Sequence, residues 1–183
     1  MKIQAFQALF KKSKSKSRED KSTVIHSYTQ LLNDIESTKK YPHWFNQISL
    51  NMMICGLRNA GFKFNRNNAK TFDIIWEILL YWLPDYGAQE ISNSLLALDQ
   101  MGLSWNNFNT GLKVGLMQSV NNNVEHFNAQ NISNSLLALN QMGLRWRNFD
   151  DGLQADLKDS VRDNVKHFNA QNISNSLLAL NQM

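Results

Sequence analysis

Glutamine and asparagine side chains recur at fixed positions in three similar segments of the chain. Gln130, Asn134 and Gln141 stand at positions i, i+4 and i+11, which share one face of an α-helix. A side-chain amide offers both a hydrogen-bond donor and an acceptor, which suits recognition of the edges of unpaired bases. The pattern therefore predicts a row of exposed amides, here called the amide row. Its members are Gln89, Asn93, Gln100, Gln130, Asn134, Gln141, Gln171, Asn175 and Gln182.

Two other interpretations of the amide row stay open. Amides at this spacing are also typical of a solvated helix face, and Asn93, Asn134 and Asn175 are also placed to bond the backbone of a neighbouring repeat. Because the copies are nearly identical, base reading would address the same base in each repeat. The target would then be a homopolymeric run, or its sequence would not be read. A recent duplication of a structural unit explains the identity equally well.

Cationic side chains that could contact phosphates are unevenly distributed. Residues 1–40 hold nine Lys and Arg against four Asp and Glu, whereas residues 41–183 hold ten against eleven. Affinity for RNA rests largely on neutralising phosphates, so the neutral body argues against strong binding by the repeats alone. A Lys/Ser-rich segment is also typical of a flexible, solubilising tail. The candidate phosphate contacts are Lys63, Arg145 and Arg147 in predicted loops, with Lys11, Lys12, Lys14, Lys16 and Arg18 near the N-terminus.

A shift of 41 residues aligns the chain with itself. The twelve residues Asn131–Met142 return unchanged at Asn172–Met183, and a near copy occupies Glu90–Met101. Self-similarity at this period is typical of a solenoid, in which a unit buries its apolar face only against its neighbours. A weaker copy begins at Leu50. The predicted units are 50–90, 91–131, 132–172 and a partial unit 173–183.

Each unit is predicted to form two helices. Asn128 is a suitable N-cap for the first helix, and Gly143 is a suitable stop after it. Ile132 and Leu139 belong to its buried stripe, and the second helix carries apolar residues at four-residue steps. No segment alternates with the period of two that strands require. The fold is therefore predicted to be all-α, a right-handed α-solenoid of helix pairs with a 41-residue repeat.

The two ends of the chain have separate predictions. Residues 1–23 are expected to be a basic, mobile segment, and residues 24–49 a capping helix followed by the degenerate start of the array. The partial unit 173–183 lacks a second helix. Its apolar face is expected to continue into a longer array or to associate with another molecule.

The first helices resemble the octotricopeptide repeat, an α-solenoid family. The residues that carry the resemblance recur in register: Gln130, Asn134, Leu136, Ala138, Leu139 and Gly143 in one copy, and Gln89, Asn93, Leu95, Ala97, Leu98 and Gly102 in another. Similar repeats also occur in proteins of intracellular bacteria. The resemblance implies RNA binding in which successive repeats address successive nucleotides. The family's tryptophan is replaced by Leu96, Leu137 and Leu178, and no nuclease-like domain follows in this chain, so no catalytic activity is carried over.

The remaining residues predict no enzyme, cofactor or metal site. The sequence shows no nucleophile–base pairing, glycine-rich phosphate loop or carboxylate dyad. His126 and His167 are equivalent positions without further ligands near them in sequence. No signal peptide or membrane span is recognisable, so the protein is expected to be cytoplasmic, with delivery to a host cell left open.

The sequence therefore predicts a non-catalytic binding module for single-stranded RNA. The alternative is a protein-interaction scaffold, including a bacterial protein that acts on host partners, because helical solenoids offer long surfaces for either use. A truncated repeat fragment without a function of its own is the third interpretation.

Overall fold

The chain folds into helices throughout the part that the structure describes. This structure is a computed structural model and describes residues 3–38 and 46–182. Within these ranges there are nine α-helices and no strand, which confirms the predicted all-α class. The helices are α1 (Ile3–Ser13), α2 (Arg18–Thr38), α3 (Gln47–Asn59), α4 (Ala69–Trp82), α5 (Ala88–Gln100), α6 (Thr110–Asn123), α7 (Ala129–Gln141), α8 (Asp151–Asn164) and α9 (Ala170–Gln182).

Odd-numbered helices are the first helices of the repeated units, and even-numbered helices are the second. The six connections from α3 to α9 each contain a single 3₁₀ turn, and these turns lie at Arg66–Asn68, Leu83–Asp85, Trp105–Asn107, Val124–His126, Trp146–Asn148 and Val165–His167. Equivalent helices of neighbouring pairs pack side by side, α1 against α3, α2 against α4 and α7 against α9. Within a pair, α7 packs against α8. This is the architecture of a helical solenoid.

The contacts divide the chain into two compact units. Unit 1 comprises Met1–Asp85 together with Gln100–Gly102. Unit 2 comprises Tyr86–Asp99 together with Leu103–Met183. The last residue of α5 therefore belongs to unit 1, whereas the rest of that helix belongs to unit 2.

The N-terminal region contains a helix that the sequence analysis did not predict. Within the segment 1–23, predicted as basic and mobile, the structure places Ile3–Ser13 in α1 and begins α2 at Arg18. Phe6 is only 1% exposed and stacks on Tyr28 with ring centroids 6.1 Å apart. Tertiary packing thus stabilises α1, which at 11 residues is too short to be stable as an isolated helix. Together α1 and α2 form a further helix pair, because they pack on α3 and α4.

The predicted capping helix is present as part of α2. Its apolar stripe is buried, including Val24, Tyr28, Leu32 and Ile35, while Ile25 is half-buried. The rest of the predicted 24–49 segment includes residues 39–45, which lie outside the described residues.

The helix boundaries follow the predicted local signals. Asn128 caps α7, because its Oδ1 accepts hydrogen bonds from the backbone of Gln130 and Asn131. Gly143, the predicted stop, has a φ of 101°, and Gly102 has a φ of 87°. Only glycine adopts this left-handed conformation without strain.

The second helices bury their apolar positions unequally. In α6 and the turn after it, Leu112, Leu116, Val120 and Val124 are all buried. In the corresponding turn after α8, Val165 is 59% exposed. The turn that contains Val124 is packed by α8, whereas no described helix takes the equivalent place over Val165.

Candidate nucleic-acid interface

Neighbouring first helices of unit 2 are joined by a repeated buried hydrogen bond, here called the Asn–Ser seam. Asn131 Nδ2 of α7 donates to Ser92 Oγ of α5 at 2.9 Å, and Asn172 Nδ2 of α9 donates to Ser133 Oγ of α7 at 2.9 Å. Each serine hydroxyl also donates to a carbonyl of its own helix, three residues earlier, at 3.2 Å. The seam therefore sets the register in which α5, α7 and α9 stack.

Another asparagine hydrogen bond recurs between repeats of unit 2, and a backbone bond joins two of them. Asn123 Nδ2 donates to the carbonyl oxygen of Tyr86 at 2.9 Å, and Asn164 Nδ2 donates to that of Phe127 at 3.0 Å. The backbone N–H of Trp105 also donates to the carbonyl oxygen of Met142 at 2.8 Å. None of these roles was predicted from the sequence. Asparagine recurs at the ends of α6 and α8, and this recurrence is the signal that could have revealed the two side-chain bonds.

The amide row on α7 runs along a helix face of which only the two ends are exposed. Gln130 and Gln141 are exposed, whereas Asn134 between them is only 7% exposed. The asparagines that the structure shows bonding across first helices are Asn131 and Asn172, which lie beside this face. A ligand on α7 would therefore meet two accessible glutamines with a recessed asparagine between them.

The copies of the amide row on α5 and α9 are similar in exposure. Gln89 and Gln171 are exposed, and Asn93 and Asn175 are half-buried. In α9, Gln171 Nε2 donates to Asn175 Oδ1 at 2.7 Å, so one turn of the row is held by an internal bond. The side chain of Gln182 lies outside the described residues.

Gln100 differs from the other amides because it belongs to unit 1 and contacts two cations. Its Oε1 accepts a hydrogen bond from Arg58 Nη1 at 3.0 Å, and its backbone carbonyl accepts one from Lys63 Nζ. The structure thus brings together two predicted site residues, Lys63 and Gln100. It adds Arg58, which the sequence analysis missed because this arginine is in the last turn of α3 and not in a loop.

The two arginines predicted in unit 2 are placed less favourably. They flank Trp146 in the turn between α7 and α8. Arg145 is half-buried, and its Nη1 donates to the carbonyl oxygen of Leu144 at 3.1 Å. Arg147 is exposed. Of these two guanidinium groups, Arg147 is the one that faces solvent.

The titratable groups of the described residues provide no metal site and no activated nucleophile. No cluster of three histidines, cysteines or carboxylates that could hold a metal ion occurs in them. Burial raises the pKa of the Cys55 thiol to about 11, although Arg58 and Lys14 act in the opposite direction. This thiol is therefore protonated at neutral pH. In the same ranges, no helix combines the length and apolar content that a bilayer span requires.

Two segments of the chain match one protein family. Residues 101–136 and 142–177 match a family described as a protein of unknown function (DUF1601). The matches begin at residues 101 and 142, so they are offset by the 41 residues found in the self-alignment. Each runs from a glycine turn through a second helix into the following first helix. The chain is a helical repeat protein. No curated protein matches it.

Proposed function

We propose that this protein is a non-catalytic module that binds single-stranded RNA through the amide row of unit 2. The observation that carries the proposal is the stacking of α5, α7 and α9 by the Asn–Ser seam, with exposed glutamines at equivalent places on each helix. Side-chain amides donate and accept hydrogen bonds, as base edges require. The resemblance of the first helices to octotricopeptide repeats supports the same function.

The identity of α7 and α9 gives the proposal a specific expectation. Both helices have the sequence AQNISNSLLALNQ, so they present the same groups to successive nucleotides. Packed helices are spaced about 8–10 Å apart, which gives the row a regular repeat along the strand. We therefore expect a preference for one homopolymeric RNA over the other three.

Fluorescence anisotropy with labelled poly-A, poly-U, poly-C and poly-G tests this proposal. The test variant is Gln130→Ala/Gln141→Ala/Gln171→Ala, which alters three exposed side chains. Three lost hydrogen bonds of about 0.5–1.5 kcal/mol each predict an affinity loss of tenfold or more for the preferred polymer. The difference in affinity between the preferred polymer and the other three is expected to become smaller in this variant.

The matched control for this experiment is Gln118→Ala/Asn121→Ala/Asn122→Ala. These residues are exposed amides on α6, a second helix, and their loss is expected to leave RNA affinity within about twofold. The proposal is wrong if folded wild-type protein binds none of the four polymers. It is also wrong if the amide-row variant binds as the wild type does.

A groove in unit 2 supports a second candidate function, the binding of a peptide segment of another protein. It encloses about 750 Å³ and lies between α6 and the turn that leads into α8. Its lining combines apolar groups, Trp105, Met117 and Val114, with the amide of Asn121. Val114 is 59% exposed there. A mixed lining of this kind is typical of ligand grooves.

Met117→Gln/Val114→Gln separates the two functions, because it makes the groove polar without adding charges that would repel RNA. If a protein partner occupies the groove, this variant is expected to lose that partner and to keep its RNA affinity. If RNA is the ligand and lies on the amide row, the variant is expected to bind RNA unchanged. Loss of RNA binding in this variant, with its helical content intact, would count against the amide row as the binding surface.

A further inference from the structure

The two units carry net charges of opposite sign. Unit 1 contains thirteen Lys and Arg against seven Asp and Glu, whereas unit 2 contains six against eight. The amides proposed to contact bases are therefore mostly in the unit that repels phosphates. A nucleic acid held by unit 2 alone would lack the neutralisation on which most of the affinity depends.

Cations of unit 1 gather where its first helices end. Lys14 follows the last turn of α1, Arg58 is in the last turn of α3, and Lys63 is in the loop after α3. Asn59 Nδ2 donates to Ser13 Oγ at 3.4 Å, which joins the ends of the two helices. Arg58 and Lys63 both bond Gln100. We call Lys14, Arg58 and Lys63 the basic edge.

The basic edge has no neutralising carboxylate in the described part of the chain. Lys12, two residues before Lys14, pairs with Asp20 at 3.3 Å, but none of the three cations of the basic edge has such a partner in the described residues. Lys14 lies 4.5 Å over the ring of Phe10, and the other two donate to Gln100. Lys14 and Lys63 are exposed. Their positive charge remains available to an anion in solution.

A purely structural role explains only part of this arrangement. Cations near helix C-termini offset the negative end of the helix dipole, and Lys63 does so through the Gln100 carbonyl. That role needs one cation for each helix end and does not require the ends of α1 and α3 to be joined. It also does not require Arg58 to lie beside a residue of the amide row.

We propose that the basic edge binds the phosphate backbone of single-stranded RNA. This inference rests on the proposed function and deepens it, because it assigns affinity and selectivity to different units. Unit 1 supplies the salt-dependent attraction, which every RNA sequence shares. The amide row of unit 2 supplies the discrimination between bases.

The division has a measurable consequence in the dependence of binding on salt. For a single strand, the logarithm of the association constant falls with the logarithm of salt concentration by about 0.7 for each phosphate neutralised. Three cations together predict a slope of about 2 in magnitude from the basic edge. Loss of these cations should remove that part of the slope and leave the ranking of the four homopolymers unchanged.

The test compares wild-type protein with Lys14→Gln/Arg58→Gln/Lys63→Gln in the full chain. Binding of the four labelled homopolymers is measured between about 50 and 200 mM salt, the range over which phosphate contacts change affinity most visibly. The variant is expected to bind at least roughly tenfold more weakly at the low-salt end and to lose about 2 from the slope. Circular dichroism and a urea midpoint verify that it is folded.

The control removes the same charge elsewhere, with Lys70→Gln/Lys113→Gln/Lys166→Gln. These lysines lie on second helices or the turn after one, and Lys70 pairs with Glu36 at 3.1 Å. This variant is expected to keep its affinity within about twofold and its slope nearly unchanged. A loss equal to that of the basic-edge variant would mean that net charge, and not the basic edge, drives binding.

The outcomes separate this inference from the function on which it rests. If wild-type protein binds no RNA, both are overturned. If it binds with a preference among polymers and the basic-edge variant keeps the full affinity and slope, only the inference is overturned. If the basic-edge variant loses the preference among the four polymers, the inference is also overturned. Binding to phosphatidylserine vesicles in place of RNA would assign the basic edge to membranes.

Discussion

Helices α7 and α9 have the same thirteen residues and different surroundings. Ile132 of α7 is fully buried and its counterpart Ile173 is 46% exposed, while Leu136 is 1% exposed and its counterpart Leu177 is 62% exposed. Within the described residues α7 lies between α5 and α9, whereas α9 has a first-helix neighbour only on its α7 side. Burial in this protein is therefore a property of the stack and not of the helix sequence.

The two helices share the same hydrogen bonds at their N-termini and the same hydrogen bond to a neighbouring first helix. Asn128 caps α7, and Asn169 Oδ1 accepts the backbone N–H of Asn172 in the same way for α9. Each helix also donates one asparagine bond to the first helix of the preceding repeat. Identical sequence thus yields identical caps and seam bonds, even where the apolar environment differs.

The largest expected difference between α7 and α9 is in the unfolding free energy lost when an equivalent leucine is replaced by alanine. Leu136→Ala is expected to lower the free energy of unfolding by about 2–5 kcal/mol, because it leaves a cavity between packed helices. Leu177→Ala removes the same atoms from a mostly exposed side chain and is expected to cost less than about 0.5 kcal/mol. Urea unfolding followed by tryptophan fluorescence measures both. Equal losses would show that α9 is as enclosed in solution as α7.

Amide hydrogen exchange compares the same helices without any substitution. Because the sequences are identical, the intrinsic exchange rates are also nearly equal, and any difference reports local opening. The backbone amides of α7 are expected to exchange roughly ten- to a hundredfold more slowly than those of α9. Residue-resolved NMR is needed, since peptides from the two helices have the same mass. Equal protection would contradict the comparison.

Removal of the seam donors should affect both helices alike. Asn131→Ala and Asn172→Ala are each expected to cost about 1–2 kcal/mol, since each leaves a buried serine hydroxyl without its donor. A double-mutant cycle with Ser92→Ala isolates the Asn131 bond and is expected to show coupling of at least about 0.5 kcal/mol. Asn122→Ala on the exposed side of α6 is the control. If the seam variants lose no more unfolding free energy than the control does, the Asn–Ser bond does not hold the first helices in register.

The smallest expected effect is at the caps. Asn128→Ala and Asn169→Ala should each destabilise the protein by about 1 kcal/mol, because a backbone N–H at the helix start loses its acceptor. Asn128→Asp and Asn169→Asp should restore most of the stability. The two alanine variants are expected to agree within about 0.5 kcal/mol, since capping depends on local geometry. A clear difference in their unfolding midpoints would show that the stack also governs the caps.

Most of the fold could be predicted from local signals in the sequence. Asn128 and Gly143 mark helix ends because their roles depend on backbone geometry within a few residues. The apolar stripe of α7 is recognisable because helical periodicity requires it. The helix α1 was not predicted, since it is held by packing against α2 and α3, as in the contact between Phe6 and Tyr28, and these residues are far apart in sequence.

The candidate site was predicted only in part. The exposure of Gln130 and Gln141 follows from the helical wheel, but the recessed position of Asn134 depends on the helices on either side. The basic edge could not be predicted as a group. Lys14 had been assigned to a mobile tail, and Arg58 lies in a helix of a different repeat unit.

By itself the sequence determined the helical class, the 41-residue period, the helix boundaries and the candidate amides, because periodicity and capping act over one or two helical turns. Only the tertiary structure decided which copies of an identical helix are buried, which asparagines join neighbouring helices and which cations share an edge. Those properties depend on distances between residues about 40 positions apart, and these distances are set when the repeats stack.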